Sequence, residues 1–416
     1  MTYRVLHVLD HSWPVLDGYS QRSQSIVTAQ LQLGMAPAVV TSSLHQSDDP
    51  GALDTTLNGV QYFRTPDHLG LAGRAIRNRW PLLREVSVVG LLRRRIESIL
   101  DSCAFDVVHA HSPSLCGLAA LQAARSRGLP FVYEIRSFWE ESPVDQRKTF
   151  RSSVRYALAR HLETYVVRRA DSLVGIASSI LQELATRKVP RERLFHVPNG
   201  VDVARFTPRP RDSALARELG IQDTPTLGYI GTLFLWEGVS WLVRAAAELR
   251  KRGAEFQLLI VGDGPDADHV RKAIEETDAA GFVRFLGRVS HSEIERYYSV
   301  MDILVYPRRS MRLTELVTPL KPLEAMALKK ATLGSSVGGL RELIESETTG
   351  LLFEPGNVAD FCRQATRLLQ QPDLRRALGE NAFRKIATEK DWKVLAGKYE
   401  EVYATAIRNA VGGPGA

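Results

Sequence analysis

A chain of 416 residues with 44% apolar and 24% charged side chains has the makeup of a globular protein with substantial cores, and its length suits two domains or slightly more. It contains no run of about 18 uncharged apolar residues that would cross a bilayer, and its opening runs from Val5, Leu6, Val8 and Leu9 straight into Asp10, unlike a signal peptide. Cys103, Cys116 and Cys362 are too scattered for a disulfide framework or a metal site, so the chain reads as cytoplasmic, while the net charge of +7 favours anionic partners: phosphorylated ligands, acidic lipid surfaces or nucleic acid.

In chain order, residues 3–9 predict a strand, 10–18 a turn-rich loop, and 21–33 a helix stopped by Gly34. Short strands are expected at 38–41, 107–110, 131–135 and 173–176, each followed by helical sequence. Over residues 74–95, arginines including Arg84, Arg93, Arg94 and Arg95 alternate with Leu83, Val88 and Leu92. Such a helix suits either an anionic membrane surface or a solvated arginine face. The rhythm pauses over 202–226, where Pro208, Pro210 and Pro225 fall, and then resumes. Strands are expected at 226–230, 256–261, 283–286 and 303–306, and helices at 239–252, 267–277, 292–298, 322–329 and 360–370. The final stretch, 391–410, has Trp392, Leu395, Tyr399, Val402 and Tyr403 at near-helical spacing. Repeated strand–helix units predict parallel sheets covered on both faces, hence an α/β chain of two tandem Rossmann-like domains with a ligand cleft between them. The expected division is an acceptor-side domain over 1–205, a linker over 206–225, a nucleotide-binding domain over 226–390 and a terminal helix over 391–416.

Chemistry-bearing residues collect where strands end. Gly18 follows the first strand, in a loop where backbone can approach a ligand. His109 and His111 share one side of a strand end and can bond a sugar hydroxyl or move a proton; no neighbouring acid or cysteine completes a metal set. Glu134 and Arg136 end the next strand, where they can serve a ligand or pair with each other. Trp139 and Glu140 follow. Asn199 lies in an Asn-Gly turn near the domain junction. Gly262 and Gly264 form a Gly-x-Gly after a strand, without the full dinucleotide fingerprint, which disfavours a dehydrogenase. The densest cluster runs from Arg308 and Arg309 through Glu315, Thr318 and Lys321 to Glu324. Pro322 suits a first helical turn, so Lys321 and Glu324 sit at a helix start, where a diphosphate and a ribose could be held.

Taken together, HVLDHSWPVLDGYSQR (7–22), HAHSP (109–113), YEIRSFWEE (133–141), VPNGVDVARF (197–206), GYIGTLFLWEG (228–238), VGDGP (261–265) and LTELVTPLKPLEAMA (313–327) resemble the GT-B retaining glycosyltransferases of family 4 over nearly the whole chain. Within that family the likeness is greatest to bacterial exopolysaccharide enzymes, including those of exosortase systems. The resemblance implies a nucleotide-sugar donor (a UDP- or GDP-sugar), no required metal cofactor, and a saccharide or polyprenyl-linked acceptor. It implies an enzyme at the inner face of the membrane and a terminal helix crossing back to the first domain. His111, Lys321 and Glu315 are the implied catalytic residues. Gly18, Arg136, Asn199, Gly231, Thr232, Gly262, Gly264, Arg308, Arg309, Thr318 and Glu324 are the implied donor-binding residues. Two departures stand out. Eight residues separate Glu315 from Glu324 where the family has seven, which puts Leu316 at the strict position. Thr232 and Glu237 occupy the places of a usual arginine and lysine, so Lys321 with Arg308 or Arg309 is expected to meet the diphosphate. The alternatives are a nucleotide-sugar epimerase of the same architecture and a basic nucleic-acid-binding protein, although no module of the latter kind is found.

Overall fold

The computed structural model describes residues 2–15, 17–45, 54–67, 81–138, 141, 153–221, 223–290 and 292–412. Leu16, Trp139, Glu140 and residues 74–80 of the basic segment lie outside the described residues. The chain divides into two compact units, Met1–Pro198 with Trp392–Ala416, and Asn199–Asp391.

The first unit runs β1 (Arg4–Leu9), α1 (Gly18–Gln32), β2 (Ala36–Thr41), β3 (Asp54–Leu57), β4 (Val60–Arg64), α2 (Pro81–Ser102), β5 (Val107–His111), α3 (Ser114–Ser126), β6 (Phe131–Ile135), α4 (Val154–Arg169), β7 (Ser172–Gly175), α5 (Ser178–Thr186) and β8 (Leu194–His196). Its eight strands lie in the order β3-β4-β2-β1-β5-β6-β7-β8, parallel except for the β3–β4 hairpin. That hairpin was not expected from alternation, yet its turn is Asn58-Gly59, both with positive φ, the pair a tight hairpin turn requires. β5 and β6 are buried at every position, as strands covered on both faces must be.

The second unit contains α6 (Ser213–Glu218), β9 (Thr226–Ile230), α7 (Val239–Lys251), β10 (Gln257–Val261), α8 (Ala267–Glu276), β11 (Val283–Phe285), α9 (Ile294–Ser299), β12 (Ile303–Tyr306), α10 (Arg312–Leu316), α11 (Lys321–Ala327), β13 (Ala331–Ser335), α12 (Gly338–Arg341), β14 (Leu351–Phe353), α13 (Val358–Gln370) and α14 (Pro372–Glu389). Its six parallel strands run β11-β10-β9-β12-β13-β14. Phe206, Leu215 and Ile221, from the proline-rich stretch, pack into a core of this unit with Met301, Leu304 and Leu323.

The last helix, α15 (Trp392–Gly412), belongs to the first unit. Trp392, Leu395, Ala396, Tyr399, Val402, Tyr403 and Ala406 recur at helical spacing and are all buried, against Val5, Val107, Val132 and Val174 of the sheet and Ile26 and Ala29 of α1. Each buried leucine or valine of that face contributes about 1.5–3 kcal/mol. In both sheets the strand order reverses at one point, between β1 and β5 in the first and between β9 and β12 in the second. Crevices at the carboxyl ends of such strands are where open α/β sheets bind ligands.

Candidate functional site

At the reversal point of the first sheet, register decides which side chains meet. His7 is paired with His109, and His111 with Glu134. Because alternate residues share a face, His7, His109, His111 and Glu134 all lie on the face that carries Val5, Val107 and Val132 lower down. The face changes from valine to histidine and glutamate toward the carboxyl ends, beneath α1 and α15.

These buried groups form one directed chain of hydrogen bonds. Arg136 can only donate, and its Nη2 lies 2.8 Å from His111 Nδ1, which therefore accepts. His111 Nε2 then donates to His7 Nδ1 at 3.0 Å, and His7 Nε2 to Gln30 Oε1 at 2.8 Å. The Gln30 amide donates to the Tyr403 hydroxyl at 2.7 Å, leaving that hydroxyl to donate to His109 Nδ1 at 3.0 Å. His109 Nε2 ends the chain, 3.8 Å from Glu134 Oε2 and without a hydrogen-bond partner. Glu134 Oε1 accepts from Arg22 Nε and Arg136 Nε, both at 3.0 Å, and Oε2 accepts from the Tyr399 hydroxyl. Burial lowers His7 to about 4 and His111 to about 3, and holds His109 well below its ordinary value, so all three rings are neutral. Glu134 is fully buried, yet the Arg22 and Arg136 guanidiniums overcome that burial and keep its carboxyl well below the usual range. The three histidines come within 4.8 Å of one another, a spacing that could hold a metal ion. Here all their nitrogens but one already serve the hydrogen-bond chain, and two guanidiniums oppose a further cation.

Arg136 and His111 are thereby committed within the protein. Besides its bonds to Glu134 and His111, Arg136 donates from Nη1 to the Tyr19 carbonyl and the Ser23 hydroxyl, and its guanidinium lies over the Tyr19 ring. Gly18 opens α1, which is capped by Asp17 accepting from the Ser20 amide. His11, in the same loop, bonds Asp10 and Asp17, and these acids outweigh its partial burial and raise it to about 9.

In the second unit the reversal point joins the loop after β9 to the loop after β12. Lys321 opens α11, and its Nζ donates to the Tyr229 hydroxyl at 3.0 Å and to the Thr232 carbonyl at 3.4 Å, with Glu237 Oε2 at 3.9 Å. Burial lowers the Lys321 ammonium from its ordinary value. Gly231, at φ 144°, leaves the lane this side chain uses, since an added Cβ would stand 2.0 Å from Lys321 Cε. Gly262 has a similar duty, because a Cβ there would meet the Gly231 carbonyl oxygen at 1.9 Å. Gly231→Ala is therefore expected to displace Lys321 at a strain of about 1–3 kcal/mol; donor titration of the folded variant checks this, and unchanged affinity would dissociate Lys321 from the donor.

Arg308 is buried, donates to the Val317 carbonyl at 3.0 Å, and lies 3.7 Å from Glu237. Arg309 is exposed, and among the described residues no partner holds its guanidinium. Glu324, three residues beyond Lys321, accepts from the Tyr298 hydroxyl at 2.8 Å, and burial raises its carboxyl. Asn199 donates to the Thr318 carbonyl at 2.6 Å, and both residues are buried. Glu315 accepts from Ser310, from the Gly338 amide at 2.7 Å and from Arg341 at 3.2 Å, which ties it to the start of α12. Gly264 packs against Leu233, and Thr232 is exposed. Lys321, Gly231, Thr232 and Gly262 thus come together, with Arg308 joined to them through Glu237.

Several supporting residues escaped the sequence reading. His7 was visible as a lone histidine inside an apolar strand. Gln30, Tyr298, Tyr229 and the roles of Tyr399 and Tyr403 carried no local signal. Glu237 was noted only as a departure, whereas it stands between two cations.

A sequence model described as "Glycosyl transferases group 1" matches residues 212–385, and one described as "Glycosyltransferase Family 4" matches residues 26–205. A GDP-mannose-dependent alpha-mannosyltransferase of Mycobacterium tuberculosis is 30% identical over 303 residues, 71% of this chain and 73% of the relative. A protein of the same name from Mycolicibacterium smegmatis is 26% identical over 408 residues, 96% of this chain and 97% of the relative. Among solved structures, a sucrose-phosphate synthase from Thermosynechococcus elongatus superposes with a TM-score of 0.76 at 18% identity, covering 96% of this chain and 98% of that one.

Proposed function

We infer the reaction from the family: the chain belongs to the GT-B glycosyltransferases that these group 1 and family 4 models describe, and it is an enzyme that transfers a hexosyl group from a sugar-nucleotide donor. Our reading is that transfer retains configuration at the sugar, that the donor is a GDP- or UDP-sugar, and that the acceptor is a saccharide or polyprenyl-linked saccharide of a bacterial exopolysaccharide. The names of the two mannosyltransferase relatives support a GDP-sugar first.

One observation carries the reading: an ammonium stands at the reversal point of the second sheet, one helical turn before a half-buried carboxylate. A sugar nucleotide needs a cation for its diphosphate and an acceptor for its two ribose hydroxyls, and Lys321 and Glu324 offer them in that order. α11 has only seven residues, so its dipole adds little and the charge must come from side chains. Lys321 and Arg309 supply it, while Arg308 balances Glu237. As the bond between the sugar C1 and the phosphate oxygen breaks, negative charge grows on the departing diphosphate, and fixed cations stabilise it without reorganising. The acceptor hydroxyl attacks C1 from the face the diphosphate leaves, and its proton passes to a departing phosphate oxygen. In this reading the cations do the work of a metal ion. The neutral histidine chain acts by fixing the loop around His111.

The reading also places the enzyme at the cytoplasmic face of a membrane. α2 exposes Leu83 and Val86 beside Arg84, an apolar and basic face suited to anionic lipid. Among the described residues no helix is long and apolar enough to cross a bilayer.

Calorimetric titration of GDP- and UDP-sugars tests the donor assignment. Lys321→Ala and Glu324→Ala should each lose about 1.5–3 kcal/mol of donor binding, roughly 10–150-fold. Release of nucleoside diphosphate that depends on added acceptor is the expected activity; an epimerised sugar nucleotide formed from donor alone would overturn transfer.

A further inference from the structure

We propose that the first unit carries a second anion site, for the phosphate group of a small molecule or of a lipid headgroup, at the end of the sheet opposite His111. A cavity of about 380 Å3 opens where α3 and α4 finish and β7 and β8 begin. Arg125, Arg168, Arg169 and Arg193 line it together with a single carboxylate, Asp171, so four positive charges less one negative leave a net +3.

The arginines are not equivalent. Arg125 is spent on Asp171, in a two-pronged pair at 3.0 and 2.8 Å. Asp171 also accepts from the Phe131 amide, which fixes the floor of the cavity. Arg168 donates through Nε to the Arg187 carbonyl at 3.0 Å, which orients the guanidinium and leaves its two terminal amino groups for other partners. The Arg169 guanidinium lies over the half-exposed Tyr165 ring, 3.7 Å from its centre, and its Nη1 donates to the Tyr165 carbonyl at 3.4 Å. Among the described residues, no partner holds the Arg193 guanidinium. The carbonyl ends of two helices explain why basic side chains gather at Arg125, Arg168 and Arg169. They do not explain Arg193, which precedes β8 and closes the fourth side.

Planar guanidiniums that line one cavity with donors to spare match the oxygens of a phosphate better than those of a single carboxylate. The volume exceeds what a bare phosphate fills, and Tyr165 offers a flat apolar wall for whatever the phosphate is attached to. The source of that phosphate is either a soluble metabolite or a membrane. Val154 and Leu158 are exposed on the face of α4 that leads to Tyr165, which is where the apolar part of a lipid would lie if its headgroup entered the cavity.

The test compares the full chain, its Arg193→Gln and Arg168→Gln/Arg193→Gln variants, and Lys321→Ala as a control for the donor site. Each is titrated calorimetrically with inorganic pyrophosphate and floated with phosphatidylcholine vesicles with and without phosphatidylglycerol; circular dichroism confirms folding. Among the described residues Arg193 has no partner to lose, so its single variant keeps the test valid if the double variant is unstable. The expected result is pyrophosphate binding with a component that survives Lys321→Ala and weakens roughly tenfold or more in the arginine variants. Binding to phosphatidylglycerol vesicles alone, lost in the arginine variants, assigns the site to lipid. Pyrophosphate binding lost only in Lys321→Ala overturns the site while leaving the donor assignment standing. Binding untouched by the arginine changes, or no binding to either probe, also overturns it.

Discussion

Lowering the pH from 7 to 5 is expected to destabilise the first unit by about 4 kcal/mol or more. His7 and His111 are held near 4 and near 3 in the folded protein by burial, against about 6.5 when unfolded. Below pH 6.5 the unfolded chain takes up protons that the folded chain refuses. Stability from these groups is therefore complete above 6.5 and falls with pH at about 1.4 kcal/mol per unit for each histidine. At pH 5 that is about 2 kcal/mol each, and His109, lowered in the same direction, adds to it. Glu134 stays ionised through this window, because its carboxyl is held well below the usual range. His11 offsets only a small part of the loss, less than about 1 kcal/mol, because pH 7 lies just above 6.5. Its raised value, about 9, stabilises the fold fully below 6.5 and less as pH rises toward 9. Denaturant midpoints at pH 7, 6 and 5 measure the effect, and His7→Gln should flatten the slope by one proton. Equal midpoints at pH 7 and pH 5 would mean that the histidines are not buried as neutral rings.

Replacing Glu134 with glutamine should destabilise the same unit by about 3–5 kcal/mol, the range for removing one partner of a buried ion pair. The carboxylate is the shared acceptor for Arg22, Arg136 and Tyr399, all of them buried. Glutamine keeps the shape and removes the charge, so two guanidiniums remain in the interior without compensation. Its amide can keep its oxygen toward Arg22 and Arg136 only by turning its NH2 toward Tyr399, whose hydroxyl must then accept where it now donates. Tyr399→Phe removes one hydrogen bond to the carboxylate and no charge, and should lose less, about 1.5–3 kcal/mol. Equilibrium unfolding of both variants, with proteolysis near Trp392 as a local probe of α15, separates the two effects. A Glu134→Gln protein as stable as its parent would show that the buried charges are not coupled through this residue. Weaker catalysis in a folded Glu134→Gln protein, with donor affinity retained, would agree with a role in setting His111 through Arg136.

Much of this architecture was legible before any coordinates. Apolar runs of four to seven residues ending in glycine or polar turns marked β1, β5, β6, β9, β10 and β12, because strand formation and helix capping depend on neighbours within a few residues. The same local grammar put Lys321 and Glu324 at a helix start and glycines at strand ends. It also opened α11 at Pro322, one residue from the observed Lys321. The β3–β4 hairpin was missed even though its Asn-Gly turn was in plain view.

What the sequence left open was decided by contacts between distant segments. Parallel register set His7 against His109 and His111 against Glu134, and no spacing within one strand predicts a partner on another. Tyr399 reaches Glu134 across 265 positions of chain, and Tyr403 reaches His109 across 294. Those contacts make Arg136 and His111, for which the sequence left both a ligand role and an internal pairing open, members of a buried hydrogen-bond chain. Glu315 likewise is held by Gly338 and Arg341, which only the packing of α12 brings near. Local periodicity is encoded residue by residue and survives in the string. Which polar groups satisfy one another inside a core depends on the order and register of the strands, and those exist only once the sheet has formed.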